Sequence, residues 1–246
     1  MLTSVVSAGP VGAGVADLEF DTREGCLRFP LARCATFPFE LDCVPVRDFP
    51  SYRGQRNFPG LWWFSRTGVH VGHESWFERD QLMALDADPD VVGVVSQPFW
   101  FHWPDGVSHA PDYFARLRDG SALVMDVRAD DQIAAADQEK FDRSEADCVA
   151  VGWDYRRVGV LDPVLRANLR WLSGYRHPRV FRPGLADELI SAFDHVRPLM
   201  AGVLAVGTPL AVLPVLFHLL WHRQLSADLA AETLTDATLV GPGLGR

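Results

Sequence analysis

Apolar and polar positions interleave with two different periods along this chain, and each change of period marks out an element. Residues 18–20 and 26–31 flank a polar run at 21–25 and predict a hairpin, and 37–46 predicts a further strand. Beyond a loop at 45–60, strands are predicted at 61–65 and 69–71 with a turn at Thr67-Gly68. A helical period then takes over at 74–85. Phe77, Leu82 and Leu85 share its apolar face, Ser75 is placed as N-cap, and Glu78 is its capping-box partner. Residues 91–96 read as a buried strand that breaks at Gln97-Pro98 and resumes at 99–103, before a hairpin turn at Asp105-Gly106. Strands at 112–117 and 122–128 are joined by Arg118-Asp119-Gly120-Ser121. A helix at 133–151, a strand at 155–161 and a helix at 164–172 complete the pattern, which predicts an α/β domain with a mixed sheet.

From Pro183 the composition shifts. Two helices are predicted, at 185–206 and 209–224, with a weak third element and a short strand at 238–240, forming a compact helical, winged-helix-like tail. Residues 199–221 carry no charge, which by length alone matches a membrane span. Gly202, Gly207, Pro209 and Pro214 interrupt that stretch, and Thr208-Pro209 reads as an N-cap followed by proline at the first helical position. The expectation is two buried helices and no membrane insertion. The chain opens without a basic segment leading into an apolar one, so a cytoplasmic protein is expected.

A chain of 246 residues with 48% hydrophobic residues holds ample core material. Its net charge of −9 excludes a uniformly basic coat but leaves room for a local basic groove. Lys140 is the one lysine; every other basic side chain apart from histidine is arginine. The loop at 45–60 interleaves Arg47, Arg53 and Arg56 with Phe49, Tyr52 and Phe58, a mixture suited either to phosphate contact and stacking or to packing over the domain. At 164–179, Arg166, Arg170, Arg176 and Arg179 read either as a basic flank or as a solvated helix face. The four cysteines form no CxxC pair and read as reduced thiols. The absence of HExxH and GxSxG patterns leaves no support for a zinc site or a serine triad, although either His102 or His109 is placed to line a groove.

Chemistry concentrates between His73 and Asp131. Antiparallel pairing through Asp119-Gly120 brings Asp112, seven residues before Asp119, roughly opposite Asp126, six after Gly120. Two converging carboxylates repel each other unless a cation lies between them. With Glu78 they make three acids fit for a hard divalent ion, and Arg128 shares the strand face of Asp126. For Glu78 the two readings conflict, because a carboxylate tied to a helix cap is less able to ligate metal.

The ordered series Glu74-Ser75-Trp76-Phe77-Glu78-Arg79-Asp80, Asp88-Pro89-Asp90-Val91-Val92, Gln97-Pro98, Pro111-Asp112-Tyr113-Phe114 and Asp126-Val127-Arg128 resembles the PD-(D/E)xK restriction-endonuclease-like superfamily. More narrowly, it resembles the TnsA-type subunit of heteromeric transposases. The resemblance implies an α/β fold with a restriction-endonuclease-like mixed sheet flanked by helices. It implies a β-rich lead-in at 1–48, a nuclease domain at 49–179 and a winged-helix-like tail at 180–246.

The implied activity is Mg²⁺-dependent hydrolysis of one DNA strand at transposon ends, with Mn²⁺ as a substitute. Glu78, Asp112, Asp126 and the Val127 carbonyl are then metal ligands, and Arg128 stands where the family has lysine. Arginine keeps its charge and cannot deprotonate water, so either it suffices by orienting, or Lys140 reaches in from the next helix, or the site is impaired. Implied partners are double-stranded DNA, a DDE-type transposase subunit and an ATP-dependent regulator, with the tail as a protein-docking surface. A free-standing nuclease for defence or repair, and a weak or inactive DNA- or protein-binding subunit, are the alternatives.

Overall fold

The computed structural model describes residues 16–47 and 58–243. The predicted first hairpin is present: β1 (Asp17–Thr22) pairs antiparallel with β2 (Gly25–Pro30), from Asp17↔Pro30 to Thr22↔Gly25. Leu18 and Phe20 alternate inward and are fully buried. The strand expected over 37–46 does not form. After α1 (Leu31–Cys34), Pro38 has no N–H to place in a ladder, and the chain winds into α2 (Phe39–Asp42) instead. Only β3 (Cys43–Val44) of that segment pairs, on β1. Most of the arginine–aromatic loop, residues 48–57, lies outside the described residues.

β4 (Gly60–Trp63) and β5 (His70–His73) form the second predicted hairpin, with Gly68 at φ +72° in its turn. α3 (Trp76–Ala87) follows, capped by Ser75. β6 (Val91–Ser96), β7 (Trp100–His102), β8 (Ser108–His109), β9 (Tyr113–Leu117) and β10 (Ala122–Val127) come next, with Gly106 and Gly120 at positive φ where their turns require it. α4 (Ala135–Ala150) then carries the chain to β11 (Asp154–Val158), which pairs with β10 in parallel. A parallel pair needs a long crossover, and α4 provides it.

α5 (Pro163–Ser173) begins on Asp162, whose side chain accepts from the N–H groups of Val164 and Leu165. The long helix expected over 185–206 is divided into α6 (Pro183–Ala192), β12 (Arg197–Pro198) and α7 (Leu199–Val206). Pro198 explains the division, because it cannot continue a helix across its missing N–H. α8 (Pro209–Trp221) has Thr208 as N-cap and proline at its first position, as the sequence predicts. β13 (Leu225–Ser226) and β14 (Leu239–Pro242) join β12 in a small sheet ordered β12-β14-β13. Among the described residues no helix is long and apolar enough to cross a membrane. All four cysteines are free thiols.

The chain is of mixed α/β class and divides into two compact units, each drawn from two stretches. One comprises Met1–Ser51 with Val92–Gly159; the other comprises Tyr52–Val91 with Val160–Arg246. The first unit holds the sheets β2-β1-β7-β8 and β11-β10-β9-β6. Its core is largely aromatic: Phe39 meets Phe20, Phe99, Phe114 and Trp153 at centroid distances of 4.9–5.9 Å. The second unit is organised on α8, where Val212, Val215, Leu216, Leu219, Leu220 and Trp221 are buried with residues of α5, α6 and α7.

Candidate active site

β9 and β10 pair with Met125 opposite Tyr113 and Val124 opposite Phe114, so the same register carried one step further sets Asp126 against Asp112. The two acids therefore stand side by side at the open end of one hairpin. Asp112 is half-buried, and its Oδ2 accepts a hydrogen bond from the Val127 N–H at 2.7 Å. Its backbone carbonyl accepts from the Gln97 N–H at 2.8 Å. Gln97 is itself buried, in the left-handed region at φ +45°, and its carbonyl accepts from the Val46 N–H. A non-glycine residue in that conformation is strained, and here it ties Asp112 to the segment leading into Arg47.

Asp126 is 3% exposed. Val124 and Asp126 share a strand face, and Tyr155 on β11 lies opposite Val124, so its hydroxyl donates to Asp126 Oδ2 at 2.7 Å. His109, at the end of β8, brings Nε2 within 2.9 and 3.0 Å of the two Asp126 oxygens. Its ring packs edge-on against Phe141 of α4. Burial, followed by the charge of Asp126, raises the Tyr155 phenol far above its ordinary range and keeps it a donor. The buried Cys148 thiol is likewise pushed well up, first by burial and then by Asp126.

Asp112, Asp126, Val127 and Arg128 line a cavity of about 200 Å³ with Arg47, His109, Asp137 and Lys140. Arg128 is exposed just beyond β10, with its N–H on the Val158 carbonyl. His109 thus takes the wall position the sequence allowed to either histidine, whereas His102 stands 3.3 Å from Glu19.

Glu78 belongs to the second unit, on the first turn of α3. Its carboxylate accepts from the Glu74 N–H at 2.7 Å and the Ser75 hydroxyl at 2.8 Å, while its own N–H donates to Ser75 Oγ. Of its two predicted roles, the structure shows the capping box.

Two carboxylates and the Val127 carbonyl are hard-oxygen donors of the kind Mg²⁺ takes, with water and phosphate filling its other positions. Among the described residues no group of three or more His, Cys, Asp or Glu side chains is arranged to hold a metal ion. A cation at this place would draw its remaining ligands from water and substrate. Sequence reading missed Tyr155 and Asp137. Tyr155 depends on the β10–β11 register, which no local pattern reveals. Asp137 was open to helical phase, since 137, 140 and 141 fall on one face. Comparison of the chain with protein-family models and with curated proteins gives no match in either case.

Proposed function

We propose that this protein is a Mg²⁺-dependent DNA endonuclease on a restriction-endonuclease-like core, cutting one strand at transposon ends as the cytoplasmic partner of a DDE-type transposase. The observation that carries this reading is the pairing of Asp112 with Asp126 at the end of one hairpin, in a cavity that also holds the cations Arg47, Arg128 and Lys140. The β11-β10-β9-β6 sheet with its α4 crossover supports the core assignment. Double-stranded DNA suits the local cations despite the acidic net charge. The winged-helix-like tail as a docking surface, and an ATP-dependent regulator, rest on the resemblance alone.

Asp112, Asp126 and the Val127 carbonyl would hold the ion, and Mn²⁺ would substitute for it. The metal supplies charge neutralisation at phosphorus and a water made acidic enough to attack. Arg128 offers a permanent guanidinium to a phosphate oxygen. Tyr155 and His109 fix the plane of the Asp126 carboxylate, which would otherwise swing away from Asp112.

The test is nicking of supercoiled DNA in Mg²⁺ or Mn²⁺ by the wild type and by Asp112→Ala, together with Mn²⁺ binding followed by electron paramagnetic resonance. Loss of both nicking and binding in the variant is expected. Equal nicking by the two proteins removes the metal-site reading. A second reading, a subunit that binds DNA without cutting it, is favoured by the hydrogen bonds already made by Asp126 and Glu78. Mn²⁺ and DNA binding with no nicking, even after a transposase partner is added, would select it.

A further inference from the structure

We infer that Lys140, delivered from α4, is the catalytic cation of this site, with Arg128 an auxiliary phosphate contact. This rests on the nuclease reading above. Asp137, Lys140 and Phe141 occupy one face of α4, and Phe141 is buried against the His109 ring, which fixes that face toward the cavity. Several charged side chains elsewhere on the helix find partners. Gln138 donates to Asp142, and Arg143 spans Asp105 and Glu139. Lys140 does not: it is half-buried at the cavity wall and makes no hydrogen bond or ion pair among the described residues.

An ammonium in a cavity lined by three aspartates, yet within ion-pair distance of none, is available to a substrate anion. A compact ammonium also suits the task. It presents three donors from one point and can serve a non-bridging phosphate oxygen and the attacking water together, whereas a guanidinium directs a planar fork at one partner. In the step assigned here, water oxygen bonds to phosphorus and the ester P–O bond breaks. One water proton ends on the leaving hydroxyl through solvent, and Lys140 stays charged throughout.

The experiment uses the full chain. Lys140→Ala should lower nicking by about 100-fold, as loss of one transition-state donor does. Arg128→Ala should cost about tenfold or less. Adding Arg128→Lys to Lys140→Ala should restore much of the rate, a rescue that a purely structural role for Lys140 would not permit.

A second readout needs neither metal nor turnover. Because the chain holds one lysine, amine acylation in EDTA reports on Lys140 by mass spectrometry, with the α-amino group as reference. Saturating duplex DNA should slow acylation of Lys140 several-fold relative to that reference. Unchanged acylation, or wild-type nicking by Lys140→Ala while Asp112→Ala is inactive, overturns the role of Lys140 and leaves the nuclease standing. Nicking by Asp112→Ala at the wild-type rate removes the nuclease reading itself. In a preparation that binds DNA without nicking it, the acylation result decides.

Discussion

Each compact unit buries an aspartate to nearly the same depth, and the two are surrounded differently. Asp86, in the second unit, is 2% exposed at the end of α3. It accepts from the Trp62 indole at 2.8 Å, the Ser65 N–H at 2.8 Å and the Ser65 hydroxyl at 2.6 Å, with Arg176 at 3.7 Å. Arg176 in turn stacks on Trp62 at 4.2 Å. Burial still wins over these donors and raises the Asp86 carboxyl above its usual value. Asp126, in the first unit, has His109 and Tyr155 as donors and a second carboxylate, Asp112, as neighbour at a cavity. Depth of burial therefore does not separate a structural acid from a candidate functional one. What separates them is whether donors enclose the carboxylate or leave one side toward open space and like charge.

The largest test of that contrast is Asp86→Ala. Removing the acid strands the Trp62 and Ser65 donors and the Arg176 charge, which should cost about 3–5 kcal/mol in urea unfolding. A loss below about 1 kcal/mol would remove the distinction. Tyr155→Phe deletes one hydrogen bond to a charged group and should cost about 1.5 kcal/mol, with weaker Mn²⁺ binding as a separate readout. Glu78→Ala should cost about 1 kcal/mol through the lost cap, and Glu78→Gln less. If the cap is all Glu78 does, Glu78→Gln keeps its Mn²⁺ affinity; a large loss there would return Glu78 to the metal site. Asp126→Asn should change stability least, within about 1 kcal/mol, because relief of repulsion from Asp112 offsets weaker hydrogen bonds from Tyr155 and His109. Its Mn²⁺ binding should nonetheless vanish.

A pH series separates the units further. In the second unit, burial lowers the titration of His218 and His222, each of which donates to a backbone carbonyl. The unfolded chain then binds more protons than the native one just below the ordinary histidine value of about 6.5. Stability from this pair is complete above that pH and is lost as pH falls toward the lowered values. A urea midpoint lower at pH 5.5 than at pH 7.5, with the difference reduced in His222→Gln, is the expected result.

Local chemistry made much of the molecule legible. The hairpins at Asp105-Gly106 and Asp119-Gly120, the Ser75 cap and the Thr208-Pro209 helix start follow from turn and capping preferences within a few residues. Two elements failed where proline outweighed apolar pattern, at Pro38 and Pro198. The facing of Asp112 and Asp126 was readable because a short hairpin fixes register by counting.

By itself, then, the sequence determined most of the elements, the paired aspartates and the single lysine, all of which depend on neighbours close along the chain. Only the tertiary structure decided that Tyr155 and His109 hold Asp126, that Asp137 and Lys140 face the same cavity, and that Glu78 belongs to a different unit from the two aspartates. Those outcomes turn on strand register across a crossover and on which interleaved stretches pack together. Both are set by burial of apolar surface between residues far apart in sequence, which no local pattern encodes.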